Sequence, residues 1–157
     1  MEKEEYIRIV NLYYDEVKRV ALAECQNIYD AEDVAQATFM KLLNQKQAFN
    51  DDEHLKKWLI RVAVNECKTL WRSPWKTKVD FFVPERAAGG RGRDNVSKEV
   101  LEAVLTLKKK NREIIHLFYF EEYSAKEIAE ILGISEDTVF KRLQRARGHL
   151  KKILEKK

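Results

Sequence analysis

Proline and glycine are concentrated in one short stretch of this 157-residue chain. Both prolines and three of the five glycines lie between positions 74 and 92: Pro74, Pro84, Gly89, Gly90 and Gly92. Glycine adds backbone freedom and proline removes a hydrogen-bond donor, so such a stretch does not easily hold a helix or a packed core. We therefore predict a flexible linker at 74–97 that joins two small domains, at 1–73 and 98–157.

Both domains are predicted to be helical, which gives an all-α fold. Apolar residues recur at steps of three and four on either side of the linker, and strand alternation is absent. In the first domain this spacing predicts helices at about 4–26, 30–45 and 55–72. The predicted buried stripe of the first helix consists of Ile7, Val10, Tyr14, Val17 and Ala21. That of the third helix consists of Leu59, Val62, Ala63, Cys67 and Leu70.

The second domain has the layout of a helix-turn-helix, a form of αα-hairpin that binds DNA. Helices at about 96–107 and 109–121 precede a capping box, in which the Ser124 hydroxyl and the Glu127 side chain satisfy backbone N–H groups. The helix that starts there ends at Gly133, because glycine readily takes the left-handed conformation. Ser135 caps the last helix. Its predicted buried stripe consists of Val139, Leu143, Ala146, Leu150 and Ile153. The alternative is an αα-hairpin within an ordinary helical bundle.

Charge is distributed unevenly along the chain, whose net charge is +4. Residues 55–78 carry 7 basic and 1 acidic side chains and residues 141–157 carry 8 and 1, whereas residues 1–54 carry 6 and 12. The polar side chains of the third helix follow steps of four, three and four, so they share one face: Arg61, Asn65, Lys68 and Arg72. Two basic patches predict two contacts with a polyanion. The alternative is that both are solvated helix surfaces.

Candidate metal and catalytic residues are few and scattered. Cys25 and Cys67 form no CxxC pair and have no nearby histidines, whereas a zinc site needs four ligands. We interpret both as core residues. No nucleophile motif or Gly-rich phosphate loop is present, so we predict no enzymatic activity, metal or cofactor.

The sequence also predicts a cytoplasmic protein. No run approaches the roughly 20 apolar residues that span a bilayer. The N-terminal stretch "MEKEEYIRIV" is acidic and lacks the basic start and apolar core of a signal peptide.

Three stretches together resemble one known family. "REIIHLFYFEEYSAKEIAEILGISEDTVFKRLQRARGHLKK" resembles the −35-element-binding domain of the sigma-70 family. "DAEDVAQATFMKLL" resembles the polymerase-binding helix of that family, and "LKKWLIRVAVNECKTLWR" resembles its −10-element segment. The resemblance is closest to the extracytoplasmic-function group, group IV, of RNA polymerase sigma factors. It implies a subunit that binds core RNA polymerase, recognises −35 and −10 promoter elements and aids promoter melting. It also implies control by an anti-sigma factor.

The resemblance assigns roles to residues of the first domain. Asp33, Gln36 and Met40 would contact polymerase, although Asp33 also suits the positive end of the helix dipole. Val34, Phe39, Leu42 and Leu43 are expected to face largely inward. The basic face of the third helix would bind the −10 region, and the 46–54 loop lies where the family captures a flipped-out base. Trp58 and Trp71 are either stacking platforms or core residues.

On the last helix the resemblance separates two kinds of DNA contact. Thr138, Arg142 and Arg147 would contact phosphates, with intradomain ion pairs as the alternative role of both arginines. The residues away from the buried stripe would read bases: Phe140, Lys141, Gln144 and Arg145. Arginine and lysine suit guanine, glutamine suits adenine, and phenylalanine can touch a thymine methyl group.

The chain departs from the family pattern at several of these surfaces. Ala37 stands where the family usually has glutamate, Thr69 where it has aspartate, and Ser73 where it has arginine. Phe140 and Lys141 stand where it favours a basic residue and a serine. These changes leave the promoter sequence and the affinity for polymerase open.

Two other functional classes compete with this interpretation. A dimeric helix-turn-helix regulator that acts on palindromes would explain residues 96–157, but not the polymerase-binding pattern at 30–43. The other class is an RNA-binding or structural helical protein, which run-off transcription with core enzyme would favour if it showed no promoter dependence.

Overall fold

A computed structural model of the protein describes residues 1–46, 48–72 and 97–156, with the side chains of Trp71 and Arg72 excepted. Seven α-helices occur in this part of the chain: α1 (Lys3–Cys25), α2 (Ile28–Leu43), α3 (Asp52–Arg72), α4 (Lys98–Leu105), α5 (Lys109–Ile115), α6 (Ala125–Leu132) and α7 (Glu136–Glu155). A π-helical segment, His116–Phe120, continues α5. The described residues contain no strand, and the predicted all-α fold is confirmed.

The helices belong to two compact units, one within Met1–Pro84 and one within Glu85–Lys157. The predicted linker at 74–97 lies outside the described residues except for Ser97, whose side chain caps α4. None of the described helices is long and apolar enough to cross a membrane.

The first unit is a bundle in which α1, α2 and α3 pack against one another. Each helix contributes side chains that are almost fully shielded from solvent, among them Val17, Ala21, Leu42, Leu59 and Ala63. Burying a leucine side chain stabilises a fold by about 1.5–3 kcal/mol. The predicted stripes are confirmed only in part: Val62 and Leu70 of α3 are half-buried, and α1 differs near its N-terminal end.

The buried side of α1 differs from the prediction near the N-terminal end of the helix, whereas Val17 and Ala21 are buried as predicted. Ile7 was predicted to be buried but is 47% exposed, whereas Ile9 is 1% exposed. The Tyr6 hydroxyl donates a hydrogen bond of 2.9 Å to the Phe39 carbonyl of α2. Tyr6 and Ile9 thus lie on the side of α1 that faces the bundle, and Ile7 lies on the outside.

Cys25 and Cys67 are both fully buried, so the structure supports their interpretation as core residues. Their sulfur atoms lie 3.2 Å apart, where the C-terminal end of α1 meets α3. Positions 42 residues apart in the sequence thus meet in the core, a proximity that depends on how the helices pack.

The N-terminal end of α3 is attached to α1 by one arginine. The Arg8 guanidinium donates two hydrogen bonds of 3.2 Å to the Asp52 carboxylate and binds Glu5 at 2.6 Å. Hydrogen bonding to Arg8 lowers the pKa of both carboxyl groups, Glu5 and Asp52, below their usual values. The contact fixes the point where the chain enters α3.

The second unit is built around α7, which packs against α4, α5 and α6. The side chains of Ile114, Leu117, Ile128 and Leu143 are at most 1% exposed and form its core. The helix predicted at 109–121 is α-helical only as far as Ile115 and then widens into the π-helical segment.

The caps of the helix-turn-helix agree with the prediction. Ser124 Oγ accepts a hydrogen bond of 3.1 Å from the Glu127 backbone, and Glu127 Oε1 accepts one of 3.0 Å from the Ser124 backbone. Gly133 ends α6 in the left-handed conformation, with φ at 69°. Ser135 Oγ accepts from the Thr138 backbone at 3.1 Å and starts α7.

Two glycines of this unit have opposite conformational requirements, which gives a matched pair of stability predictions. Gly148 is exposed inside α7, and no atom lies within 4 Å of the position of an added Cβ. We expect Gly148→Ala to raise the free energy of unfolding by about 0.5–1 kcal/mol. At Gly133, an alanine would be forced into the left-handed conformation. Gly133→Ala should therefore lower the free energy of unfolding by about 1–2 kcal/mol. Urea denaturation followed by far-UV circular dichroism measures both, and effects of the same sign would contradict the prediction.

Candidate nucleic-acid interface

The outward face of α7 carries the four predicted base-reading side chains. Val139, Leu143 and Ala146 are buried against the rest of the unit. On the opposite side, the side chains that face solvent are Phe140, Lys141, Gln144 and Arg145. Phe140, the most apolar of the four, is 56% exposed. The structure thus brings these four residues together on one accessible surface.

Lys141 forms an ion pair with an acidic neighbour on this face. Its ammonium group lies 3.1 Å from Asp137 Oδ2, one helical turn earlier. Both side chains are more than 60% exposed, so the pair contributes little to stability. The sequence prediction did not include Asp137, although the four-residue spacing of opposite charges is a visible signal.

The predicted phosphate-contacting residues of α7 have different surroundings. The Thr138 hydroxyl lies 2.9 Å from the Ser135 hydroxyl and belongs to the helix cap. Arg142 is half-buried. Arg147 Nε donates a hydrogen bond of 2.6 Å to the Tyr119 hydroxyl. Neither arginine forms an ion pair with any residue that the structure describes, so the intradomain alternative has no support there.

The basic face of α3 is accessible as far as the structure describes it. Arg61 and Asn65 are exposed and Lys68 is half-exposed, and the three share one side of the helix. The side chain of Arg72, the fourth predicted member, lies outside the described residues. Lys57 precedes Arg61 by one turn, extends the same stripe and was missed by the sequence prediction.

Three aromatic rings meet where the 46–54 loop joins α3. The Phe49 ring packs edge-on against His54 and Trp58, at centroid distances of 5.3 and 5.5 Å. His54 Nδ1 accepts a hydrogen bond of 3.1 Å from the Asn50 backbone, which fastens the loop to the start of the helix. Trp58 is half-buried, so it borders the loop and is not a fully enclosed core residue. Trp71, the other tryptophan considered, has a side chain outside the described residues.

The outward face of α2 holds the predicted polymerase-contacting residues. Asp33 and Gln36 are exposed, and Met40 is 58% exposed. Tyr29 and Leu43 continue this face at steps of four and three, with 75% and 47% exposure. Leu43 was predicted to face inward, and that prediction is wrong because a residue three positions after Met40 shares its side of the helix.

The start of α2 also differs from the predicted position near Asp30. Asn27 is the N-cap, and its Oδ1 accepts a hydrogen bond of 3.0 Å from the Asp30 backbone. Asp33 therefore lies in the second turn of α2. There the helix dipole interacts with it only weakly, because that effect falls off within the first turn. An exposed carboxylate at this position is better suited to an external contact.

Sequence comparisons agree with the two-part architecture. Residues 9–77 match the family profile described as sigma-70 region 2, and residues 97–150 match the profile described as sigma-70, region 4. The chain is 29% identical to the ECF RNA polymerase sigma factor SigW of Bacillus subtilis, over 98% of this chain and 90% of SigW. It is 30% identical to the RNA polymerase sigma factor YlaC of the same organism, over 92% of this chain and 88% of YlaC.

The fold is also found in a solved structure. The sigma factor RpoE of Bartonella quintana, crystallised in complex with the anti-sigma factor NepR, shares it with a TM-score of 0.77 at 22% sequence identity. The similarity covers 97% of this chain and 98% of RpoE. The match to sigma-70 region 2 includes residues 30–43, the stretch that the dimeric-regulator alternative does not explain. The chain belongs to the extracytoplasmic-function group of the sigma-70 family, and it is a factor that directs RNA polymerase to promoters and initiates transcription there.

Proposed function

We propose that this sigma factor uses three separate helix faces for its macromolecular contacts: α2 for core polymerase, α3 for the −10 element and α7 for the −35 element. The observation that carries the proposal is that α7 buries one stripe and leaves its opposite, cationic face open to solvent. Among the described residues, the ion pairs of α7 are formed by Lys141 and Lys151 and not by its arginines. Such a cationic face is suited to phosphates and base edges.

For the −35 element, we assign base contacts to Phe140, Lys141, Gln144 and Arg145. The N-terminal part of such a helix lies deepest in the major groove, where each good base contact discriminates by about 1–3 kcal/mol. The remaining assignments are phosphate contacts, which position the protein on the duplex: Thr138, Arg142 and Arg147. The Thr138 hydroxyl would leave its contact with Ser135 to bind a phosphate.

For the −10 element, we assign DNA contacts to Arg61, Asn65, Lys68 and Arg72. Removing a base from the stack costs a few kcal/mol, so melting needs a place that receives the base. The Phe49 ring belongs to the loop that serves this purpose in the family, and the Trp58 ring of α3 packs against it. Stacking on aromatic rings recovers about 1–3 kcal/mol per base.

For core polymerase, we assign the α2 face that consists of Asp33, Gln36 and Met40. Tyr29 and Leu43 extend it, so that a polar centre is flanked by exposed apolar side chains. Interfaces commonly combine tyrosine and methionine anchors with a few polar contacts. Ala37, which replaces the family's usual glutamate, removes one charged contact from its border.

We assign domain boundaries of 1–73 for the region 2-like part, 74–97 for the linker and 98–157 for the region 4-like part. The protein acts in the cytoplasm as a non-enzymatic subunit. RpoE of similar fold binds an anti-sigma factor. We infer an anti-sigma partner for this chain too, since a protein that covers the polymerase and DNA faces prevents initiation.

Co-purification with core polymerase tests this assignment. Tagged protein should retain core polymerase, and the reconstituted complex should bind promoter fragments that the protein alone binds weakly. Tight binding of the protein alone to palindromic DNA, without any affinity for polymerase, would favour the dimeric regulator instead.

A further inference from the structure

Tyr119 and Phe118 form an aromatic corner around the end of Arg147. Their rings lie 5.0 Å apart and are tilted by 80°. The guanidinium carbon of Arg147 is 5.6 Å from the centroid of the Tyr119 ring and 5.9 Å from that of Phe118. Both aromatic residues belong to the π-helical segment after α5, and such segments are frequent at functional sites.

The hydrogen bond between Arg147 and Tyr119 leaves donors available on both side chains. A guanidinium has five N–H donors, and Arg147 uses its Nε–H on the tyrosine oxygen, at 2.6 Å. Arginine has no acceptor, so the phenolic hydrogen of Tyr119 must be directed elsewhere. Within the described residues, that hydroxyl donates to no other group, and Tyr119 is 42% exposed. An accessible pair with several unused N–H and O–H donors is suited to an oxyanion.

The position of Arg147 along α7 indicates that this oxyanion is a phosphate of the DNA backbone. Phe140, Gln144 and Arg147 follow at steps of four and three, so Arg147 continues the base-reading face. Seven residues of α-helix extend about 10 Å. The major groove is about 12 Å wide. When Phe140 lies among the base edges, Arg147 therefore reaches the sugar–phosphate backbone at the rim of the groove.

We propose that Tyr119 and Arg147 form a single phosphate-binding site at the edge of the −35 element, which rests on the proposed assignment of α7. Tyr119 donates its hydroxyl hydrogen to the phosphate and holds Arg147 Nε, so that the two terminal nitrogens of Arg147 can bind the phosphate oxygens. The aromatic corner fixes the guanidinium before DNA arrives, which reduces the rotamer freedom lost on binding. Tyr119 thereby adds a contact from outside the helix-turn-helix.

Promoter binding by the holoenzyme, measured across a series of KCl concentrations, tests this site. Arg147→Ala should weaken binding about tenfold on all −35 sequences and reduce the slope of log K against log salt by about 0.9, the value for one phosphate contact. Tyr119→Phe keeps the ring and removes the hydroxyl. It should weaken binding about fivefold without a change of slope, and it should have little effect in the Arg147→Ala background. Lys156→Ala, which removes a cation at the far end of α7, is the matched control and should leave binding and slope unchanged.

Three results would overturn the proposal: wild-type binding by Tyr119→Phe, an unchanged salt slope in Arg147→Ala, or equal effects of Tyr119→Phe with and without Arg147. In the last case a lower melting temperature of Tyr119→Phe would identify a structural role. If Arg145→Ala changes the base preference and Arg147→Ala leaves promoter binding unchanged, this phosphate site is rejected but the assignment of α7 is retained. Unaltered promoter use in both variants would reject the assignment of α7 as a whole.

Discussion

Replacement of Asp33 and Gln36 together by alanine is expected to weaken the binding of core polymerase by at least tenfold. Both side chains lie on the outward face of α2, next to Met40, and neither contributes to the core of the bundle. The few hot-spot residues near the centre of an interface contribute about 2 kcal/mol or more each, and about 1.4 kcal/mol already corresponds to a tenfold change. The dissociation constant of the sigma factor–core complex, measured with labelled protein, gives the effect directly.

The same helix bundle supplies a matched control for this experiment. Asn11 and Asp15 are an amide and a carboxylate on the exposed side of α1. Asn11→Ala with Asp15→Ala removes the same two chemical groups and should leave affinity for core polymerase unchanged. Both double variants should retain the melting temperature of the parent protein. Wild-type affinity of the Asp33 and Gln36 variant would show that polymerase binds a different face.

Loss of the Arg145 side chain should change which −35 sequences the holoenzyme uses. An arginine that binds the O6 and N7 atoms of guanine discriminates against the wrong base by about 1–3 kcal/mol. We therefore expect Arg145→Ala to lower binding to the preferred promoter and to make one −35 position indifferent to sequence. Binding assays on promoters with every single-base substitution of the −35 element measure this change.

Arg142→Ala is the appropriate comparison, because it removes an identical side chain from the same helix. Arg142 is assigned to a phosphate, so its loss should weaken binding evenly across all sequences and reduce the salt dependence. A uniform loss in Arg145→Ala would reassign Arg145 to the DNA backbone.

The sequence was sufficient for the features that depend on local chemistry. Helical spacing and the caps at Ser124, Gly133 and Ser135 follow from residues within a few positions of one another, and the structure has them where they were predicted. The outward face of α7 follows from the same periodicity, since Val139, Leu143 and Ala146 define the buried side.

The features that the sequence did not predict depend on contacts between distant residues. The inward side of α1 at its N-terminal end includes the contact of Tyr6 with Phe39 of α2, and the meeting of Cys25 with Cys67 depends on the packing of α1 against α3. The aromatic corner at Arg147 requires a π-helical segment 28 residues earlier in the chain, where Tyr119 lies. Local periodicity has no information on any of these distances.

Phe140 and Lys141 are the residues most specific to this chain on the −35 surface. The family favours a basic residue and a serine at these positions, and both side chains here are exposed on the outward face of α7. A phenyl ring can contact a thymine methyl group, and the lysine, released from Asp137, can bind guanine. The promoters of this factor should therefore differ from those of its relatives at the bases these two residues face.

Transcription of genomic DNA by core polymerase, with and without this protein, followed by mapping of RNA 5′ ends, tests the central claim most directly. The protein should create a new set of start sites that share one −35 and one −10 sequence at constant spacing. Removal of one base-reading side chain of α7 in Arg145→Ala should redistribute those starts among −35 variants. The claim is contradicted if the mapped starts are the same in the presence and absence of the protein.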